Sequence, residues 1–314
     1  MQSFFKDFMD GLRGSSPANN YRLVATLAEP EGAINALAFN PTGTSLASDG
    51  DDETVRIWDL ASFKCVQALS DIEKQWGQIT VLKFAQMGPD VSTEWLCFGT
   101  GFGMFVVYRR ARKSTYFVEL LRLKVFTSGD SVESFSFNPH FRRLAVGSHN
   151  GTLKVFELEG NGRDLTLLWD DRYDDMIIQS LVFVDQGEHL NIYIMASGDV
   201  ICRNTDTGEQ VYAKRLQSPI GHAEVHHPTV AVVIENMTNG FDLYPFNKPT
   251  PSRNFPVETN RLFIKSAVFA ENGKIIVTGS DHGKVYIFGT TSSTALQVLK
   301  HGGREQLVQV VEVT

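Results

Sequence analysis

Short runs in which apolar and polar residues alternate recur along the chain, each bounded by Gly, Pro, Asn or Asp. Successive side chains of a strand point to opposite faces, so this pattern predicts β-strands with one buried face. One phrase returns at a near-constant interval: AFNPTG (38–43), KFAQMG (83–88), SFNPHF (136–141), VFVDQG (182–187) and VFAENG (268–273). Its aromatic residues are Phe39, Phe84, Phe137, Phe183 and Phe269, at steps of 45, 53, 46 and 86, the last step being two periods. A worn copy, VHHPTV (225–230), fills that gap with His226 at the aromatic position.

A second phrase follows each copy: TVRIWDL, MFVVYRR, TLKVFEL, DVICRNT, GFDLYPF and KVYIFGT. A strand ending in small residues and a tight turn separates the two phrases, and a further strand such as KCVQALS or ALQVLKH follows the second. Each unit therefore reads as four strands, a-b-c-d. Repetition of such units at this period predicts an all-β fold, a β-propeller of four-stranded antiparallel blades.

SLASDGDDETVRIWDL resembles a repeat of the WD-repeat β-propeller family, with KIIVTGSDHGKVYIF and RLAVGSHNGTLKVFEL as worn versions. The resemblance covers about residues 21–314, with 1–20 left as a short amphipathic helix and linker. Trp58-Asp59 keeps the namesake dipeptide; Tyr108-Arg109, Phe156-Glu157, Arg203-Asn204, Tyr244-Pro245 and Phe288-Gly289 replace it elsewhere. The resemblance implies a polar His/Asp/Ser/Trp network within each blade, which the residues present leave incomplete. It also implies a non-enzymatic interaction scaffold or adaptor that binds protein or peptide partners on its loop-bearing face.

Complete blades are expected at about 34–70, 78–126, 131–171, 177–217, 221–258 and 262–301. YRLVATL (21–27) reads as an outer d-strand and LVQVVEV (307–313) as an inner a-strand. In the family, such terminal strands share one blade, so the sequence reads as six blades plus an incomplete seventh. A closed six-bladed ring with an added strand is the alternative. Unpaired strand edges invite pairing, so Tyr21, Leu23, Leu307, Val308, Val310 and Val311 are the expected assembly edge, open to self-association or to a partner.

Composition narrows the class further. The chain has 42% hydrophobic and 21% charged residues, and no apolar run of membrane-spanning length. Charged residues interrupt the N-terminal MQSFFKDFMDGLRG, which excludes a signal-peptide core there. Three widely spaced cysteines, Cys65, Cys97 and Cys202, fit reduced thiols, so a cytoplasmic or nuclear location is expected. A net charge of -7 argues against nucleic acid as the partner.

Several motifs have candidate chemistry. Phe4, Phe5, Phe8 and Leu12 share one face if the N-terminus is helical. Gly99-Thr100-Gly101-Phe102-Gly103 has the look of a phosphate loop, but no helix follows it, so a b–c hairpin is the better reading. HAEVHH puts the metal-competent His222, Glu224 and His226 on one strand face. Three ligands on one short strand make half-buried histidines the plainer reading, and neither a metal nor a cofactor is expected. A metal-dependent hydrolase at the central channel is the competing function.

In the resembled family the d–a and b–c loops share one face, here called the top. Trp76, Phe102, Arg172, Tyr173, Asp174, Asp175, Arg261 and Arg304 lie in such loops and are the expected partner-binding residues. Acidic residues crowd the same loops, while Arg109, Arg110, Arg112, Lys113, Arg142 and Arg143 fall in a–b and c–d loops. An acidic top would favour a basic peptide.

Overall fold

Alternation becomes sheet through three antiparallel pairings per unit. In the first blade, strands a (Leu37–Phe39), b (Ser45–Ser48), c (Thr54–Asp59) and d (Lys64–Ser70) pair in sequence order. Five more sheets with the same a-b-c-d order follow, spanning 79–124, 132–172, 178–215, 222–256 and 267–300. The computed structural model describes residues 2–6 (backbone alone), 21–28, 32–87, 92–159 and 163–314. The protein is all-β, six four-stranded antiparallel blades arranged as a propeller.

Each blade buries both faces against its neighbours. Val55 and Ile57 of blade 1 pack with Leu82, Leu96 and Phe98 of blade 2. Phe105 and Val107 of blade 2 pack with Phe135, Leu144 and Val146 of blade 3. Similar cores join blades 3 and 4, 4 and 5, and 5 and 6. Burial of this apolar area, at roughly 25 cal/mol per Å², is what holds the ring together.

The inner strands are also tied to each other by side chains. Ser134 Oγ donates to Ile178 O at 2.7 Å and Ser180 Oγ to Ala223 O at 2.9 Å, each reaching one blade onward. Ser134, Ser180 and Ser266 each stand three residues before the phrase aromatic, at Phe137, Phe183 and Phe269, a regularity that was readable in the sequence.

The polar network expected to be incomplete survives in pieces. Trp58 Nε1 donates to Ser48 Oγ at 2.9 Å in blade 1. In blade 6, His282 bridges Asp281 Oδ1 at 2.9 Å and Tyr286 OH at 2.8 Å, while Asp281 Oδ2 accepts the backbone N–H groups of Asn260 and Arg261. In blade 4, Arg203 stands where an aromatic is usual. Its guanidinium pairs with Asp171 and lies over the Tyr173 ring of the preceding loop, 5.8 Å from the centroid.

Two terminal segments depart from expectation. Gln2–Lys6 form a strand, β1, not the first turns of a helix; β1 pairs antiparallel with β2 (Tyr21–Thr26). A single helical turn gains little without a surface, whereas the free edge of β2 offers backbone partners. Phe8 and Leu12 lie outside the described residues. Residues 307–313 form no strand ladder, where an inner a-strand was expected.

Trp58 is 1% exposed and packs with Leu27 and Leu46 on the face of blade 1 that looks away from blade 2. Trp58→Ala is expected to cost about 3–5 kcal/mol, read as a lowered urea midpoint. Trp58→Phe should cost much less, because it keeps the ring and loses one hydrogen bond worth about 1 kcal/mol.

Candidate interaction surfaces

The ring has one boundary unlike the others. Between blades 6 and 1 the two sheets do not share a core. Blade 6 presents Val268, Val285 and Val277, and blade 1 presents Leu37, Phe39, Leu46 and Trp58. Residues 307–313 lie along the inner side of this boundary. Val308 N donates to Ser280 O at 2.7 Å, Ser266 N to Gln309 O at 2.8 Å, and Val311 N to Ser266 Oγ at 2.7 Å. Val308 and Val311 are buried against blade 6. Gly279 permits this approach: a Cβ there would stand 2.0 Å from Val308 O. At the far end, Thr314 lies beside Gly43 in the a–b turn of blade 1.

On the outer side, β2 is held to the d-strand of blade 6. Gln297 clasps Tyr21, its Oε1 accepting Tyr21 N at 3.2 Å and its Nε2 donating to Tyr21 O at 2.7 Å. Tyr21 OH donates to Glu271 at 2.7 Å. A cavity of about 280 Å³ remains between these elements, walled by Leu37, Phe39, Leu46, Val277, Val285, Ile287 and Leu299. Of the expected edge residues, Leu307, Val308, Val310, Val311 and Tyr21 line it, and Leu23 is half exposed. The edge residues therefore come together at one boundary.

The expected partner-binding residues lie in d–a or b–c connections, except Arg172, which ends the d-strand of blade 3, and they are not equally available. Trp76 is a correction: it is 0% exposed, edge-on to Phe98 at 4.9 Å and covered by the Arg122 guanidinium at 5.4 Å. A large apolar ring at the blade 1–blade 2 boundary gains more from that core than from water. Tyr173 is half-buried, its hydroxyl accepting from Arg203 Nε at 3.1 Å. Arg261 is spent on the carbonyls of Asp281 and Glu305. Phe102, Arg172, Asp174, Asp175 and Arg304 are exposed. Sequence reasoning missed Ile72, Met176, Leu262 and Phe263, exposed apolar side chains in d–a loops. Their signal was an apolar residue in a turn, outside any alternating run.

Charge on the top face is largely settled within the molecule. Asp52 pairs with Arg56, Glu53 with Lys74, Asp71 with Arg122, Asp171 with Arg203 and Asp174 with Arg172. Asp130 and Asp281 are buried as acceptors of loop N–H groups. On the opposite face, Arg110 pairs with Glu94, Arg143 with Glu157 and Asp206, and Arg142 donates to backbone carbonyls. Opposite charges therefore interleave on each face.

Of the histidine-rich strand, His222 Nδ1 accepts from Ala267 N at 3.4 Å, and burial beside Lys83 pushes its pKa down to about 4. His226 instead bonds to Thr229 Oγ1 at 2.8 Å and leans on Phe269. The crowded surroundings of half-buried Glu224 push its pKa up, and although Glu312 is solvent-accessible, the nearby Glu224 charge pushes it in the same direction, with Lys83 opposing both. Among the described residues, no three His, Cys, Asp or Glu side chains gather as a metal site.

With this geometry in view, comparison with known proteins defines the class. A family model described as "WD domain, G-beta repeat" matches residues 21–59 and 121–157. Each match begins on a d-strand and ends on the next c-strand, so β2 counts as the d-strand ahead of blade 1. The chain is a WD-repeat β-propeller. It is similar to pre-mRNA-processing factor 17 of Saccharomyces cerevisiae, at 23% identity over 90% of this chain and 60% of that protein. It is also similar to nuclear distribution protein PAC1-2 of Uncinocarpus reesii, at 42% identity over 20% of this chain and 14% of that one. In fold it resembles Chaetomium thermophilum Raptor, with a TM-score of 0.69, 13% identity, and coverage of 86% of this chain and 24% of Raptor. The chain thus spans 60% of the length of the first of these relatives and 14–24% of the other two.

One buried acid gives a pH test. Asp49, in the b–c connection of blade 1, is fully buried; its Oδ1 accepts the N–H groups of Asn35 and Ala36, and its Oδ2 has no partner. Burial pushes its pKa up to about 7, against the two N–H donors. The folded chain then holds a proton that the unfolded chain releases near about pH 3.9. The resulting stability is present below that pH and is lost as pH rises through 7. The stability difference between the wild type and Asp49→Asn, from urea midpoints, should therefore shift against the wild type between pH 4 and 7. Parallel pH profiles would show that Asp49 ionises normally.

Proposed function

We propose that this propeller is a non-enzymatic interaction scaffold whose top-face loops bind a protein partner. The observation that carries the reading is the set of apolar side chains left in water on those loops. Ile72 is 95% exposed and Leu262 81%, accompanied by Phe102, Met176 and Phe263. Exposed apolar side chains on the loop face are candidate seats for a partner's anchors. Their supports are rigid: Phe102 N donates to Trp76 O, and Phe102 packs on Gly77. In the channel, the Lys83 ammonium acts on both Glu224 and Glu312. The names of the relatives, a pre-mRNA-processing factor and a nuclear distribution protein, favour a cytoplasmic or nuclear site of action.

Affinity capture with the wild type, Phe102→Asp and Leu262→Asp tests this, with Val230→Asp on the a–b side as control. Proteins recovered with the wild type should be lost with the top variants and kept with the control. Equal recovery by all of them would reject the top face. Exposed positions of this kind alter stability by about 0.5 kcal/mol or less, so loss of fold does not confuse the result.

A second surface is favoured by the boundary between blades 6 and 1. Residues 307–313 contribute few backbone hydrogen bonds beside an apolar cavity. We infer that this edge takes up a strand, from a second copy or from a partner, because strand addition satisfies backbone groups. Light scattering at micromolar concentration should show self-association that Gly279→Val changes, since the added side chain displaces residues 307–313. A monomer with slow amide exchange across 307–313 would instead mark the boundary as closed.

A further inference from the structure

The top face carries a second hollow, of about 680 Å³, between blades 2 and 3. Its lining includes Lys124, Lys154 and Arg172 together with Thr127, Ser128, Asn150 and Thr152, and a single acid, Asp130. That acid is buried and already accepts Asn150 N at 2.9 Å. Three cations and one acid line the hollow, and a second acid, Asp174, pairs with Arg172 at its edge.

The cations are positioned and retain donors. Lys154 Nζ donates to Val125 O at 2.9 Å and lies over the Phe126 ring, which leaves two of its three N–H groups unassigned. Lys124 Nζ donates to Phe102 O at 2.5 Å and Ser128 Oγ at 3.0 Å, leaving one. The Nε of Arg172 donates to Asp174 at 2.8 Å, and no bond from its two terminal nitrogens is formed to a described residue. The loop beneath is fixed by Val125 N and Phe126 N, both donating to Gly103 O.

We propose that this hollow binds a phosphorylated serine or threonine of a partner peptide. A phosphate dianion has three acceptor oxygens and matches several cations with neighbouring hydroxyl donors. A single carboxylate would leave most of these donors unused. The hollow is larger than phosphate alone, so it also accommodates neighbouring residues of a peptide. An extended polynucleotide is disfavoured: Phe126 is buried and offers no stacking platform. The site adjoins one of the apolar anchors proposed above, because Lys124 holds the Phe102 carbonyl, but its donors are other side chains, so either reading can fail without the other.

The test is an amide-resolved NMR titration of the full chain with a degenerate heptapeptide mixture centred on phosphothreonine. Its glutamate counterpart and a single-stranded oligonucleotide serve as the other arms. Saturable shifts are expected at the amides of 124–130 and 150–154, at least tenfold tighter for the phosphorylated mixture. Lys124→Ala with Arg172→Ala, both exposed, should weaken binding more than tenfold while the remaining spectrum stays folded. Lys154→Gln, which keeps a donor to Val125 O, should weaken it as well. Unmoved amides in these segments, equal affinity for the glutamate mixture, or equal affinity for the oligonucleotide would each overturn the proposal.

Discussion

Apolar packing between adjacent sheets is the interaction on which the rest of this molecule depends. A four-stranded blade with two apolar faces cannot stand in water, so each blade exists because its neighbours cover it. Five of the boundaries meet that demand with continuous cores, such as Phe105 against Phe135 at 5.1 Å. The sixth does so with borrowed pieces: residues 307–313 from inside and β2 from outside. That boundary is the place where the ring's completeness and its associations are the same physical question.

Once the sheets are packed, the polar residues of the loops have a prior duty. Short connections leave backbone N–H groups that need acceptors, and Asp49, Asp71, Asp130 and Asp281 supply them. Others pair across blade boundaries, as Asp171 does with Arg203 and Asp71 with Arg122. Loop composition therefore overstates the charge that a partner would meet. The surface left for recognition is defined by what these duties do not use: exposed Ile72 and Leu262, and the unspent donors of Lys154.

Much of the architecture was legible because it follows from periodicity. The phrase aromatics at Phe39, Phe84, Phe137, Phe183 and Phe269 count the blades, and His226 marks the worn copy. Even the inter-blade serines lay at a fixed offset. The candidate site was less legible. Trp76 stands in a loop by sequence, yet its indole belongs to the core between blades 1 and 2. The spacing of Phe4 and Phe5 suits a helix, yet Gln2–Lys6 pair with β2. In both places a long-range partner decided the outcome, and local pattern carries no information about one.

The chain by itself therefore determined the class of element, the order of strands within a blade and the number of complete blades. The first two depend on neighbours a few residues apart and on a period of two, and the third on the longer repeat of the phrase aromatics. Tertiary structure decided which side chains are spent and which remain. Lys154 and Arg172 stand on paired strands of blade 3, and Lys124 joins them from blade 2 because the two blades pack side by side. The cleft between blades 6 and 1 likewise joins residues from opposite ends of the chain, held there by Gln297 and Ser266.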